Sequence, residues 1–138
     1  MTLPNTGSAL YTTLAAGSAL VNELGGSGTR IYEALAPQGA VYPYVVYFRA
    51  GGGDDNSSPR RTRTENWVVK AVATDQKKAR SLDALIDAQL HEAEITITGW
   101  DNYQTARRTD VAYAEPGEGG VVYWHRGGTY RLNIGDSS

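Results

Sequence analysis

The sequence predicts a single domain of the α+β class, with an antiparallel sheet, two helices packed on one face and a long protruding β-hairpin. A chain of 138 residues has room for one domain, here residues 1–138. Two segments show the apolar spacing of amphipathic helices, and several others alternate apolar and polar residues. Their order is a helix, two strands, a helix and then three or four strands. This order is typical of helices segregated to one face of an antiparallel sheet.

The first elements are a helix and a strand. Leu10, Leu14, Val21 and Leu24 fall on one stripe of a helix from Thr6 to Leu24, which Thr6 caps and glycines terminate. The segment from Arg30 to Ala34 is predicted to be a short edge strand. A turn at Pro37–Gly39 and a strand from Val41 to Arg49, rich in β-branched and aromatic residues, follow.

A polar segment separates that strand from the next one, Glu65 to Ala73. Residues 51–64 read GGGDDNSSPRRTRT and contain no apolar side chain. Ordering glycine-rich backbone costs conformational entropy that nothing in this segment offsets. We therefore predict a flexible loop, which becomes ordered only against a partner, at the tip of a hairpin.

The second helix is predicted from Ala79, Leu82, Leu85, Ile86 and Leu90, with Thr74 or Asp75 as its N-cap. Its charges oppose the helix dipole, since Lys77 and Lys78 come early whereas Asp83 and Asp87 come later. Two interpretations are open. Either packing of the helix outweighs the unfavourable interaction of these charges with the dipole, or the charges face a neighbouring subunit.

The rest of the chain is predicted to be β structure. Three or four strands are expected, from the segments Ile95–Trp100, Arg107–Ala114, Gly120–His125 and Thr129–Ile134. Turns are placed at Pro116–Gly119 and at Gly127–Gly128. Residues 135–138 are expected to form a loose tail.

The composition argues against catalysis, cofactors and metals. The chain has no cysteine, and its histidines, His91 and His125, belong to no ligand or nucleophile motif. The paired carboxylates Asp54 and Asp55 lie in the glycine-rich segment, which cannot hold them rigidly in a dry pocket. No apolar run is long enough to span or anchor to a membrane. We expect neither an enzyme nor a cofactor or metal site.

Charged and aromatic residues instead suggest an interaction protein. Arg60, Arg61 and Arg63 form the one concentrated positive cluster, either a solvated loop or a contact for phosphate or an acidic surface. Nine tyrosines and three tryptophans suit protein interfaces, although Trp67 is expected in the core. The candidate assembly or channel residues are Asp54, Asp55, Arg60, Arg61, Arg63, Lys77, Lys78, Asp83, Trp100 and Trp124.

The chain resembles the tail-completion or tail-terminator proteins of long-tailed, siphovirus-like bacteriophages. The resemblance runs from about Ala9 to Ile134. It rests on the helix ALYTTLAAGSALVNELGG, the block RIYEALAPQGAVYPYVVYFRA, a strand containing Trp67, the helix ARSLDALIDAQL and the closing strand GGTYRLNI. The RIY…APQG…PYVVY block is the most specific part, and the stretch from Trp100 to Trp124 matches no fixed motif.

The resemblance implies a subunit of a homo-oligomeric ring, hexameric in the family, at the head-proximal end of the tail. Such a ring caps the tail tube, joins it to the head-completion or neck protein and lets DNA pass through its channel without sequence-specific binding. The protein would belong to the virion after assembly in the host cytoplasm. Two alternatives stay open: a head-completion (neck) protein, and a small nucleic-acid-binding module that uses the arginine cluster.

Overall fold

The computed structural model describes residues 3–26, 30–55 and 61–137. Its helices and strands are α1 (Thr6–Ala15), α2 (Ser18–Glu23), β1 (Ile31–Glu33), β2 (Tyr44–Asp54), β3 (Thr62–Ala73), α3 (Gln76–Leu90), β4 (Trp100–Pro116) and β5 (Val122–Asp136). The strands form one sheet in the order β1-β2-β3-β5-β4. Apolar side chains from the helices and from one face of this sheet share a single core, which confirms the α+β class.

The sheet is mixed and not purely antiparallel, because β1 pairs with β2 in parallel. The other neighbouring pairs are antiparallel. Parallel strands cannot be joined by a tight hairpin. The chain therefore returns through residues 34–43, with a turn in which the Ala40 N–H bonds to the Pro37 carbonyl at 3.0 Å.

The predicted first helix is divided into α1 and α2. Gly17 has an extended backbone (φ −79°, ψ 98°) and separates the two helices. A Cβ at Gly17 would lie 2.6 Å from the Gln89 side chain, so this turn packs closely on α3 and any larger residue would displace Gln89. The N-cap is also different from the prediction: Asn5 Oδ1, not Thr6, accepts the Ser8 N–H at 3.3 Å.

The prediction of the second helix is confirmed by α3. Asp75 is its N-cap, with Oδ1 accepting the Lys77 N–H at 3.1 Å. Leu82, Ile86 and Leu90 are fully buried against the sheet. No described helix is long and apolar enough to cross a membrane.

In place of the three or four strands predicted after α3, the structure has two long strands, β4 and β5. Gly127 and Gly128 make no turn, because they lie inside β5 and pair with Lys70 and Val69 of β3. The two strands approach closely at Gly127, where a Cβ would be 2.1 Å from the Val69 carbonyl oxygen. The segment from Ile95 forms only an isolated bridge between Ile97 and Trp100. Gly135, predicted to be in a loose tail, is paired within β5.

The loop between β2 and β3 is shorter than predicted. Residues Gly51–Asp54 pair with Arg63–Asn66, so both ends of the predicted flexible loop 51–64 belong to the sheet. Gly52 allows the strands to approach, since a Cβ there would be 2.1 Å from the Thr64 carbonyl oxygen. The tip, residues 56–60, lies outside the described residues, and so does the predicted protrusion of the hairpin.

Candidate assembly surfaces

The hairpin of β2 and β3 ends in an ion-pair network centred on Asp54. Its carboxylate accepts hydrogen bonds from Arg61 Nε at 2.9 Å and Nη2 at 2.7 Å, and from Arg63 Nη1 at 2.8 Å. Asp54 lies opposite Arg63 in the strand register, which places these side chains on the same face. The hydrogen bond from Arg61 is the main cause that lowers the pKa of Asp54.

The network continues into the core through Arg63. Its side chain is buried, and its Nε lies 3.5 Å from Oε2 of the buried Glu65. Trp67 Nε1 donates to Glu65 Oε1 at 3.0 Å. Two arginines are thus matched by two carboxylates, which reduces the positive charge that this end can offer to a phosphate backbone. Arg60, the third arginine of the predicted cluster, lies outside the described residues.

The predicted charges of α3 mostly contact other parts of the same subunit. Lys78 pairs with Glu23 of α2, and Asp83 pairs with Arg107 of β4 at 2.7 Å. Lys77 is exposed in the first turn. The pairs of Lys78 and Asp83 favour the packing interpretation of the reversed charge order.

The remaining candidates are placed in different surroundings. Asp55 closes the hairpin, with its N–H bonded to the Thr62 carbonyl at 2.9 Å and its Oδ1 accepting from Thr64 Oγ1 at 3.2 Å. Trp100 belongs to the hydrophobic core, so it stabilises the subunit itself. Trp124 is half-buried on β5.

Arg107 is an important residue that the sequence analysis did not single out. It donates two hydrogen bonds to Asp83 and one to the Gly127 carbonyl at 2.7 Å, and Nε donates to Asp110 at 3.0 Å. Its pKa is raised, chiefly by the bonds to Asp83. Asp83 and Gly127 are distant from Arg107 in sequence, and no spacing rule connects them with it.

The helix-free face of the sheet carries a cluster of aromatic rings. Tyr42 stacks on Tyr123 with centroids 4.7 Å apart, and Tyr113 stacks on His125 at 4.2 Å. Lys70 Nζ donates to the Tyr113 hydroxyl at 2.5 Å. Burial raises the pKa of Tyr42 to about 12. The abundance of tyrosine was the available signal for this cluster.

The arrangement offers surfaces for contacts with other proteins. Among the described residues, no group of three His, Cys, Asp or Glu side chains could hold a metal ion. The fold is therefore an α+β domain with a helix layer on one face of the sheet and an aromatic cluster on the other.

Comparisons with known proteins identify the family. A family model described as "Tail completion protein gp17" matches residues 8–123. The chain therefore belongs to the gp17 family of tail completion proteins, which are structural proteins of the bacteriophage virion. No curated protein matches the chain. A chain in a solved structure titled "Virion of native gene transfer agent (GTA) particle" shares the fold, with a TM-score of 0.75, 17% identity and coverage of 93% of this chain and 92% of that chain.

Proposed function

We propose that the protein is a tail terminator, which closes the tail tube as a homo-oligomeric ring and provides the surface that joins tail and head. The match of residues 8–123 to the tail completion family is the observation that carries this proposal. The similarity of fold to a chain of the gene transfer agent virion supports it. On this view the protein acts by recognition and capping, its partners are the tail tube and neck proteins, and DNA passes through the ring.

Two experiments test the proposal. Electron microscopy of the purified protein should show rings with an open channel. Particles assembled without the protein should contain tails of uncontrolled length that do not join heads. Tails of normal length without it, together with heads that lack a neck, would contradict the terminator role and favour a head-completion role.

The pairing of Arg61 and Arg63 with Asp54 and Glu65 argues against a nucleic-acid-binding module. We expect the isolated protein to bind duplex DNA weakly. The substitution Asp54→Asn should increase this binding, and the increase should disappear with added salt. Tight, salt-sensitive binding by the unsubstituted protein would contradict this expectation.

A further inference from the structure

The outer strands of the sheet are β1 and β4. β1 has only three residues and covers only part of β2, and β4 is itself covered along only one half. On one side, β1 pairs with Val45–Tyr47 of β2, and no described segment pairs with the outer edge of β2 from Phe48 to Asp54. We call residues 48–54 the β2 open edge. Arg49, Ala50, Gly51 and Gly52 on it are exposed.

On the other side, the segment after α3 covers the first half of β4. The Glu92 N–H bonds to the Thr105 carbonyl at 2.7 Å, and the Arg107 N–H bonds to His91 Nδ1 at 3.2 Å. No described segment covers residues 108–116, which we call the β4 open edge and whose residues are almost all exposed. Unpaired N–H and C=O groups on such an edge can accept another strand.

The two open edges occupy complementary halves of the sheet. The β2 open edge lies beside β3 residues 63–68. The β4 open edge lies level with the other half of β3, from Val68 to Ala73. Across β5, Thr109 aligns with Val68 and Ala114 aligns with Ala73. The open edges are therefore displaced along the strands by about five residues, or about 17 Å at the usual rise.

We propose that the β4 open edge of one subunit pairs with the β2 open edge of the next, so that the sheets continue around the ring as a closed barrel. This proposal rests on the ring proposed above. A ring needs a contact between two different patches on opposite sides of the subunit, and the two edges of one sheet meet this requirement. Pairing of β4 with β4 would be two-fold symmetric and would stop at a dimer.

The displacement has the size that barrel closure requires. Each subunit contributes four strands, β2, β3, β5 and β4, and together with the spacing to the next subunit they occupy about 19 Å across the sheet. A displacement of about 17 Å along the strands for every 19 Å across the sheet corresponds to a strand tilt of about 40°. This tilt is within the roughly 35–45° typical of closed barrels. Because the helices cover the other face, the helix-free face would line the channel.

Strand direction agrees with this pairing. β2 and β4 run in opposite directions, so rotation about a ring axis brings them together as antiparallel neighbours.

Cysteine cross-linking tests the contact, and the absence of native cysteine makes every product interpretable. Ala50 and Ala112 are exposed on the two open edges. The double variant Ala50→Cys/Ala112→Cys, oxidised or treated with a short bismaleimide, should form a ladder of covalent oligomers that ends at the ring size. A mixture of the two single variants should stop at dimers. The matched control Ala50→Cys/Ala88→Cys moves the second thiol to an exposed position on α3 and should give no ladder.

Each other outcome overturns the edge contact. Rings in the electron microscope without cross-linking of the double variant would place the contact elsewhere and leave the proposed function intact. Dimers of Ala112→Cys alone would show pairing of β4 with β4. A protein that forms neither rings nor cross-links at any concentration would contradict both proposals.

Discussion

The guanidinium of Arg107 forms two parallel hydrogen bonds with the carboxylate of Asp83, Nη1–Oδ1 at 2.7 Å and Nη2–Oδ2 at 3.1 Å, and thereby ties β4 to α3. Bidentate pairs of this kind are stronger and more directional than single hydrogen bonds. The same guanidinium reaches the carbonyl of Gly127 on β5. One side chain therefore connects the helix layer with the two strands that form the longest pairing of the sheet.

We expect Arg107→Met to lower the free energy of unfolding by about 2–3 kcal/mol, because a half-buried carboxylate loses its charged hydrogen-bond partner. Arg108→Met is the matched control: Arg108 is the exposed neighbour, and its loss should cost less than about 0.5 kcal/mol. Urea unfolding of both variants measures the difference. Equal losses would show that the contact with Asp83 adds nothing to stability.

The core stripe of α3 leads to a second prediction. Leu82 is fully buried, so Leu82→Ala should lower the free energy of unfolding by about 2–5 kcal/mol through lost burial and a cavity. Leu35→Ala makes the same chemical change at a side chain that is 83% exposed, and it should cost about 0.5 kcal/mol or less. Similar midpoints for the two variants in denaturant would mean that α3 does not pack on the sheet.

The agreement between sequence and structure is best where the physical cause is local. The apolar spacing of α3 and the oxygen of Asp75 act within one or two helical turns, so the sequence predicts this helix well. Gly127 is different, because its requirement for glycine comes from the backbone of Val69, which is distant in sequence. From the sequence alone, Gly127 was predicted to be part of a turn.

The assembly residues were predicted less well for a similar reason. The arginine cluster was visible in the sequence, whereas its neutralisation by Asp54 and Glu65 depends on strand register. Trp100 was predicted to be an interface candidate, but the fold places its side chain in the hydrophobic core of the subunit. The open edges could not be predicted at all, since they depend on which halves of β2 and β4 other segments cover.

Gly127 is the basis of a third prediction. Its missing side chain allows β5 to approach the Val69 carbonyl, so Gly127→Ala should destabilise the fold by about 1–3 kcal/mol through overpacking. Gly53→Ala is the control, because a Cβ at Gly53 would meet no atom within 4 Å. Thermal unfolding should separate the two variants by several degrees. A Gly127→Ala variant as stable as Gly53→Ala would disprove the close approach of the strands.

A fourth prediction concerns pH. Burial lowers the pKa of His125 below its ordinary value of 6.5, and the ring lies 2.9 Å from a Glu115 oxygen that only partly offsets this. The unfolded chain therefore binds the proton more readily than the folded protein does. The free energy of unfolding should be unaffected by this ring above pH 6.5 and should decrease as the pH falls below 6.5. His125→Gln should weaken this dependence in melts at pH 7.5 and 5.5. Protonation of Asp54 should also lower the free energy of unfolding as the pH falls, because the pKa of Asp54 is lowered in the folded protein. This effect occurs below the ordinary pKa of 3.8, so it does not overlap with the effect of His125.

An unchanged slope between pH 7.5 and 5.5 in His125→Gln would assign the acid sensitivity to another group.

The final prediction concerns the hairpin tip. Deleting the whole segment from Gly52 to Arg63 would remove paired strand residues together with the buried Arg63, so this change should unfold or strongly destabilise the subunit. A deletion limited to Asn56–Arg60 and closed with a two-residue Asn-Gly turn keeps Asp54, Arg61 and their ion pair. We expect its melting temperature to stay close to that of the parent, because loop length affects stability only weakly.

The shorter deletion should nevertheless impair ring formation or the joining of tails to heads, if the tip contacts a neighbouring subunit, the tail tube or DNA. Replacing Arg60 alone with glutamine separates charge from shape, since a contact that depends on this charge should also weaken with added salt. Particle yield and tail length measure the effect, and the ladder of cysteine cross-links shows whether the ring still closes. Normal particles from the deletion variant would show that the tip is a solvated loop and would leave the open edges of the sheet as the candidate contact between subunits.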